Sequence, residues 1–364
     1  MSSSFGKNFK ITIFGESHGE AIGVTMEGIR AGERISIDEL KSFLERRAPG
    51  KSEFSTQRKE ADEPIFLSGI LENITCGSPI TAIIKNNNKK SADYKEIADS
   101  PRPSHSDYAA YIKYGGYSDY RGGGHFSGRL TAPLCIAGGI CLQLLKNEGI
   151  TIYSHIKNIH GIKDDDFNSL NPDIKLYETL KKDNFPVLNA MQKEKMQEII
   201  RFANEKGDSV GGIIECMTVG LPTGIGEPMF EGIENKISEV VFGIPAVKGI
   251  EFGNGFECAE LFGSENNDSI YTDGENIKTK TNNSGGINGG ISNSMPVVFR
   301  AAIKPTPSIG IEQETISLSQ NKNKTFVIKG RHDPCIVPRA VPCVEAATAI
   351  AIYDLLLSRR IERS

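Results

Sequence analysis

Residues 121–129 read RGGGHFSGR, and Leu130–Leu145 follows directly as LTAPLCIAGGICLQLL. Gly122, Gly123 and Gly124 carry no Cβ, so this backbone can take φ > 0 and bring its N–H groups close to an oxyanion. The run behind them is almost uncharged and long enough for four turns of buried helix, with Pro133 tolerable in its first turn. A glycine turn that feeds a helix N-terminus favours anions, and Arg121 and Arg129 add two permanent cations. The plainer alternative is a tight turn with surface arginines. A dinucleotide-binding fingerprint does not fit, because the glycines of this run fall at 122, 124 and 128.

The whole chain has 364 residues, enough for one large domain or two ordinary ones, and no composition break marks a boundary. With 38% hydrophobic and 24% charged residues it reads as soluble and globular. Its net charge of −4 argues against a general nucleic-acid binder or an anionic-membrane binder, since both need a basic field. Any basic site must be local. The start, MSSSFGKNFKITIFGES, lacks the apolar core of a signal peptide and the pattern of a transit peptide, and no run of about eighteen apolar residues is expected elsewhere, so the chain reads as cytoplasmic. Seven cysteines, an odd number without a CxxC pair, indicate neither a disulfide framework nor a zinc site, and most should be reduced, buried thiols.

Along the chain, Phe9–Phe14 alternates as a strand and Ile22–Ile29 reads as its hairpin partner across GESHG, which places Glu16, Ser17 and His18 at a strand end. Ser36 and Glu39 form a capping-box signature for a helix with Ile37, Leu40, Phe43 and Leu44 on one face. That helix ends at Arg46 and Arg47, which suit its dipole. Leu67–Ile84 reads as two short strands about Gly77, and Pro101–Asp107 starts a short helix with His105 at or just inside its N-terminus. Later segments predict a strand over 150–162, a loop-rich excursion over 163–184, and an amphipathic helix over 189–206 whose methionines fill the core. Beyond these come a strand over 209–219, a helix over 233–242, strands over 247–252 and 296–303, a last strand over 326–329 and a closing helix over 344–357.

Four of the six histidines, His18, His105, His125 and His332, lie in motifs rich in Gly, Pro, Arg or Asp. A zinc site from His18, His105 and Asp333 is conceivable, but those ligands share no local spacing, so no metal is expected and acid/base work fits better. Arg46, Arg47, Arg102, Arg121, Arg129, Arg331, Arg339 and Lys304 occupy the same segments, which points to a ligand with several carboxylate or phosphate charges. For any one arginine the ordinary outcome is a solvated surface charge.

The motifs FGESHG, RRAPG, TQRKE, RPSHSDY, RGGG, AVKGIEFGNGF, GGINGGIS, KPTPS and GRHDPC occur in this order from about residue 5 to residue 357, and together they resemble chorismate synthase. The resemblance implies an α+β fold, a β-α-β sandwich of antiparallel sheets around helices, as a single domain over residues 1–364 and in a homotetramer; pattern alone reaches only mixed α and β. It implies removal of phosphate and a ring hydrogen from 5-enolpyruvylshikimate 3-phosphate to give chorismate, with reduced FMN required but no net redox change. NADPH would enter only to reduce the flavin, with a separate flavin reductase as a possible partner.

By the same resemblance, His18 would sit by the departing phosphate, His105 would serve protonation of the flavin, and Asp333 would assist deprotonation at flavin N5. Ser17, Arg47 and Arg129 would hold substrate, with Arg47 also at a nicotinamide-nucleotide position. Flavin contacts would fall to His125, Phe126, Ser127, Ala246, Gly289, Lys304, Pro305, Thr306, Pro307, Ser308 and Arg331. Where many members read GGGRSSARE this chain has GGGHFSGRL, so His125 and Phe126 replace an arginine and a serine. Two other classes share some of these features: a flavin oxidoreductase, which would transfer a net hydride, and a non-enzymatic polyanion binder, which would show steep salt dependence.

Overall fold

A computed structural model describes residues 3–50, 62–86, 97–328 and 333–363. Two five-stranded antiparallel sheets enclose a layer of helices, as the α+β sandwich requires. The first sheet runs in the order Ser4–Phe5, Lys10–Gly15, Ala21–Glu27, Ile80–Lys85 and Ile65–Ser68. Its registers put Ile11 opposite Met26, Val24 opposite Ala82 and Ile22 opposite Ile84, so one face of the pleat is apolar and packs on the helices. The second sheet has the order Val247–Phe252, Val297–Ile303, Gly212–Val219, Thr151–Ile159 and Ile162–Lys163. Its inner face carries Ile156, Ile214, Cys216, Phe299 and Ala301, all essentially inaccessible.

Between the sheets lie the helices Ile37–Arg47, Thr131–Asn147, Ile233–Val241 and Val337–Arg363. The uncharged run behind the glycine turn is the central one, and its Gly138 and Gly139 explain how it can be central. A Cβ on Gly138 would stand 2.3 Å from Ala346 Cα in the C-terminal helix, and one on Gly139 would stand 2.6 Å from Leu40 Cδ1. Missing side chains let three helices close onto one another here. The windows 128–147 and 337–359 are long and apolar enough to cross a membrane by length and composition, contrary to the expectation of no such run. They are 83% and 100% buried inside the fold, so the apolar surface is spent on the core.

Several boundaries differ from the sequence reading, each for a local reason. Leu67–Ile84 is not two strands: Ile65–Ser68, Ile70–Leu71, Ile74–Thr75 and Ile80–Lys85 are separate, because Gly69, Glu72, Asn73 and Gly77 all have positive φ and turn the chain. Ser36 does cap its helix by accepting from the Glu39 N–H at 3.2 Å, but the Ser36 N–H donates to Gln143 Oε1 at 2.7 Å and not to Glu39. The expected strand over 326–329 instead ends at Phe326, in a hairpin of Gln313–Ser317 with Lys322–Phe326. The closing helix starts at Val337 rather than Val344: Pro338 falls in its first turn, where a proline removes only an N–H that has no partner, and Pro342 is carried inside the helix. In the helix Ala190–Glu205, Met196 is buried as expected, but Met191 falls in the exposed first turn. Of the seven free cysteines, five are buried, while Cys76 and Cys258 are exposed.

The excursion after Lys163 covers the outer face of the second sheet, with the short helix Ile174–Leu180 inside it. Its anchor is His155, which pattern had set apart from any motif. Nδ1 lies 3.0 Å from Asp164 Oδ2 and Nε2 3.0 Å from Glu215 Oε2, all three groups fully buried. Two carboxylates on one ring require two N–H donors, so the ring is an imidazolium. Burial opposes that charge, but the hydrogen bonds and charges of Asp164 and Glu215 raise the His155 pKa.

Candidate active site

Loops from seven separate segments close around a cleft of about 610 Å³ at one end of the helix layer. The glycine turn forms its floor. Gly122, Gly123 and Gly124 have φ of 58°, 82° and 54°, values that L side chains rarely adopt. The close approach the glycines permit is to side chains of the site itself. A Cβ on Gly122 would meet His18 Nδ1 at 2.2 Å and Ser17 Oγ at 2.9 Å, and one on Gly123 would meet His105 Cε1 at 3.3 Å. The Ser17 N–H donates to Gly124 O at 3.1 Å, which ties the FGESHG turn to the glycines. His18, 2% exposed, stands behind Gly122 rather than in the cleft wall.

His105 precedes Ser106, the N-cap of the helix Asp107–Lys113, so it lies just outside that helix rather than inside it. Its Nδ1 lies 2.6 Å from Asp107 Oδ1 and 3.1 Å from Arg102 Nη2, which leaves Nε2 facing Gly123. The Asp107 carboxylate also takes Arg102 Nε at 2.7 Å and Nη2 at 2.9 Å. Burial would raise the Asp107 pKa, but these bonds from Arg102 and His105 hold it well below the usual carboxylate range. Arg102 Nη1 reaches on to Ser308 Oγ at 3.2 Å, so the RPSHSDY and KPTPS segments are joined through one guanidinium.

On the opposite side Asp62 bridges two buried arginines, Arg47 through Nη1 and Arg129 through Nη1. Burial pushes the Asp62 pKa up, and the two guanidiniums overcome that and lower it. Arg47 Nε also donates to Thr131 Oγ1 at 3.1 Å, and Arg129 Nε to Asn86 Oδ1 at 3.3 Å. Neither arginine of RRAPG is only a helix-dipole charge, since Arg46 in turn pairs bidentately with buried Glu345 at 2.6 and 2.9 Å. Asp333 pairs with Arg339 Nη1 at 2.6 Å, and Arg339 Nε holds Arg47 O at 3.1 Å.

The remaining wall is partly apolar, from Phe126, Ile244, Pro245, Ala246, Pro307 and Ile336. Ala246 sits at φ 76°, a strained position for a residue with a Cβ. Its carbonyl accepts the Lys304 N–H at 2.9 Å, while Lys304 Nζ reaches Ser104 O at 2.5 Å. His125 is held by two bonds: Nδ1 donates to Gly15 O at 2.8 Å and Nε2 meets Ser3 Oγ at 2.7 Å.

Sixteen of the residues singled out in the sequence line this one cleft: Ser17, Arg47, Arg102, His105, Gly122, His125, Phe126, Ser127, Arg129, Ala246, Lys304, Thr306, Pro307, Ser308, Asp333 and Arg339. Pro305 and Gly289 do not line it; Gly289 lies in the turn between Ile287–Asn288 and Ile291–Ser292. Arg331, His332 and the TQRKE segment fall outside the described residues. Sequence reading passed over Asp62, Asp107, Asn86, Thr131 and Cys343. Asp107, two residues from His105, could have been found from that spacing; Asp62 could not, because its partners are distant in sequence.

The family model described as Chorismate synthase matches residues 9–357. The chorismate synthase of Lancefieldella parvula is 46% identical over 98% of this chain and 97% of its own length. That of Thermococcus kodakarensis is 46% identical over 98% of both. A crystal structure of chorismate synthase superposes with a TM-score of 0.75 at 28% identity, covering 98% of this chain and 93% of that one. Full-length agreement in sequence and in fold has one reading, that the chain belongs to the chorismate synthase family.

Proposed function

We propose that the cleft between the two buried arginines and the glycine turn binds 5-enolpyruvylshikimate 3-phosphate over reduced FMN and eliminates phosphate from it. The reaction of this carbon-oxygen lyase family is the anti-1,4-elimination that yields chorismate. The observation that carries the reading to these residues is the local concentration of cations in a chain of net charge −4: Arg47, Arg129, Arg102, Arg339 and Lys304 all line the cleft. Two carboxylates and a phosphate on the substrate need such a field.

The donor set also fits a flavin mononucleotide. Ile244, Pro245, Ala246 and Pro307 offer an apolar wall for a ring system, and Lys304, Thr306, Ser308 and Ser127 supply cationic and hydroxyl donors for a phosphate, while His125, its two ring nitrogens held by Gly15 O and Ser3 Oγ, contributes the edge of the site. Bound there, the reduced flavin supplies transient electron donation that is returned within each turnover. The chain's own residues do the rest. Ser17, Arg47 and Arg129 hold the substrate's anionic groups, with Asp62 fixing both guanidiniums. His18, pinned behind Gly122, donates a hydrogen bond or proton toward the departing phosphate. His105 is held at Nδ1 by Asp107 and Arg102, so Nε2 is the ring nitrogen turned to the site for proton exchange. Asp333, turned by Arg339, accepts a proton at its carboxylate.

We take the enzyme to act as a single domain over residues 1–364, in a cytoplasmic homotetramer, with NADPH entering only through flavin reduction. The deciding experiment is an anaerobic assay with reduced FMN and 5-enolpyruvylshikimate 3-phosphate, following phosphate release and chorismate absorbance. Many turnovers per flavin without added reductant support the reading; stoichiometric loss of reduced flavin would assign the cleft to hydride transfer instead.

A further inference from the structure

Cys343 and Cys135 take no part in that acid/base scheme, yet they meet at the cleft wall. Cys343, in the second turn of the helix Val337–Arg363, lines the cleft, and Cys135 is buried in the helix Thr131–Asn147 behind it. Their sulfurs are 3.8 Å apart. The two helices are held together at this level by the Gly138 contact with Ala346, where a Cβ would lie 2.3 Å from Ala346 Cα, so the backbones approach to within about 4 Å. Cys135 and Cys343 each stand three positions before that contact, so the helices run parallel and the thiols face each other one turn from the crossing. A bond of about 2.05 Å then requires the two sulfurs, now 3.8 Å apart, to move together by about 2 Å, drawing the Cys343 turn toward the neighbouring helix.

We propose that Cys135 and Cys343 are a redox-sensitive dithiol that reduces a hydroperoxide entering the cleft and closes to a disulfide, reversibly disabling the enzyme. The two sulfurs are unequal, as such a pair requires. The hydrogen bond with Cys135 lowers the Cys343 thiol to about 7, with burial opposing and Arg47 and Arg339 assisting, whereas burial pushes Cys135 well up. Cys343 is therefore the attacking thiolate and Cys135 the resolving thiol. The thiolate attacks a peroxide oxygen, the O–O bond breaks, and Cys343 becomes a sulfenic acid while the departing oxygen takes a proton to leave as water or alcohol. The Cys135 sulfur then attacks the Cys343 sulfur, the S–S bond forms, the S–O bond breaks and a second water leaves. Two thiols are oxidised and one peroxide is reduced.

Loss of activity follows from position. Arg339 lies one turn before Cys343, and its backbone oxygen is 3.4 Å from that sulfur. Drawing Cys343 toward the neighbouring helix moves the guanidinium that holds both Asp333 and Arg47 O.

The test starts from full-length protein purified under reductant, desalted, and treated with hydrogen peroxide. Alkylation under denaturing conditions and peptide mass spectrometry should find a cross-link, two hydrogens lighter, between the Cys135 and Cys343 peptides. Activity should fall at least tenfold in step with it and return with dithiothreitol. Cys135→Ala lacks the resolving thiol, so Cys343 should be trapped by dimedone as sulfenic acid and then pass to sulfinic acid, and lost activity should not return. Seven alkylatable thiols after an inactivating treatment, or a cross-link through other cysteines, would overturn the proposal without any variant. Failure of the treated Cys135→Ala protein to give a dimedone adduct at Cys343 would overturn it as well.

Discussion

Gly122→Ala tests whether the glycine turn exists to admit His18. At φ 58° an alanine costs about 1–2 kcal/mol from its Cβ alone. The new methyl would also lie 2.2 Å from His18 Cε1 and Nδ1 and 2.9 Å from Ser17 Oγ, and His18 is 2% exposed, so its ring has no solvent to swing into. Overpacking of this kind adds about 1–3 kcal/mol. The expected loss of stability is thus about 2–5 kcal/mol, and on the acid/base role proposed for His18 turnover should fall by about 10²- to 10⁴-fold. Two other glycines separate the contributions. Gly149 has φ 76° with nothing within 4 Å of its missing Cβ, so Gly149→Ala should show the backbone cost alone, about 1–2 kcal/mol. Gly128 has neither positive φ nor a neighbour within 4 Å, and the stability of Gly128→Ala should stay within about 0.5 kcal/mol of the parent. Urea unfolding of the three variants, with single-turnover phosphate release for Gly122→Ala, decides the matter. A Gly122→Ala protein no less stable than Gly149→Ala and of normal turnover would show that His18 is not held by this turn.

Asp333→Asn keeps the size of the side chain and one acceptor toward Arg339, so ligand binding should stay near normal while single-turnover product formation drops by about 10²- to 10⁴-fold; intact chemistry at saturation would make Asp333 purely structural. Asp62→Ala leaves two buried guanidiniums facing each other, and should cost about 3–5 kcal/mol and raise KM more than it lowers kcat, measured by denaturation and steady-state kinetics. His155→Phe removes the cation between Asp164 and Glu215. Because the folded His155 pKa is raised, its stabilisation is complete below the ordinary histidine value and disappears as pH rises through the higher folded value. The folded Asp164 pKa is lowered, so that share is present above the ordinary carboxylate range and disappears as pH falls through the lower folded value. The stability gap between parent and variant should therefore be widest between those limits, and a pH-independent gap in urea unfolding would contradict the imidazolium.

The sequence by itself determined the local elements and the chemical character of the site. Alternation in Lys10–Gly15 and Val297–Ile303 marked strands, the uncharged run behind Leu130 marked the central helix, and three consecutive glycines before it permitted the positive φ that the turn adopts. Motifs in order identified the family, and with it the sandwich that periodicity could not supply, because period alone says which face is apolar and not what covers it. Only the tertiary structure decided which charges meet. Asp333, just before the closing helix, pairs with Arg339 six residues on, inside it. Arg47 and Arg129 share Asp62, and His155, which no motif marked, anchors an entire excursion through Asp164 and Glu215. The physical reason is that backbone conformation is set by steric and hydrogen-bonding preferences within a few residues, which composition and spacing record. A buried ion pair is set by the packing of segments tens to hundreds of residues apart, and each partner alone looks like a solvated charge.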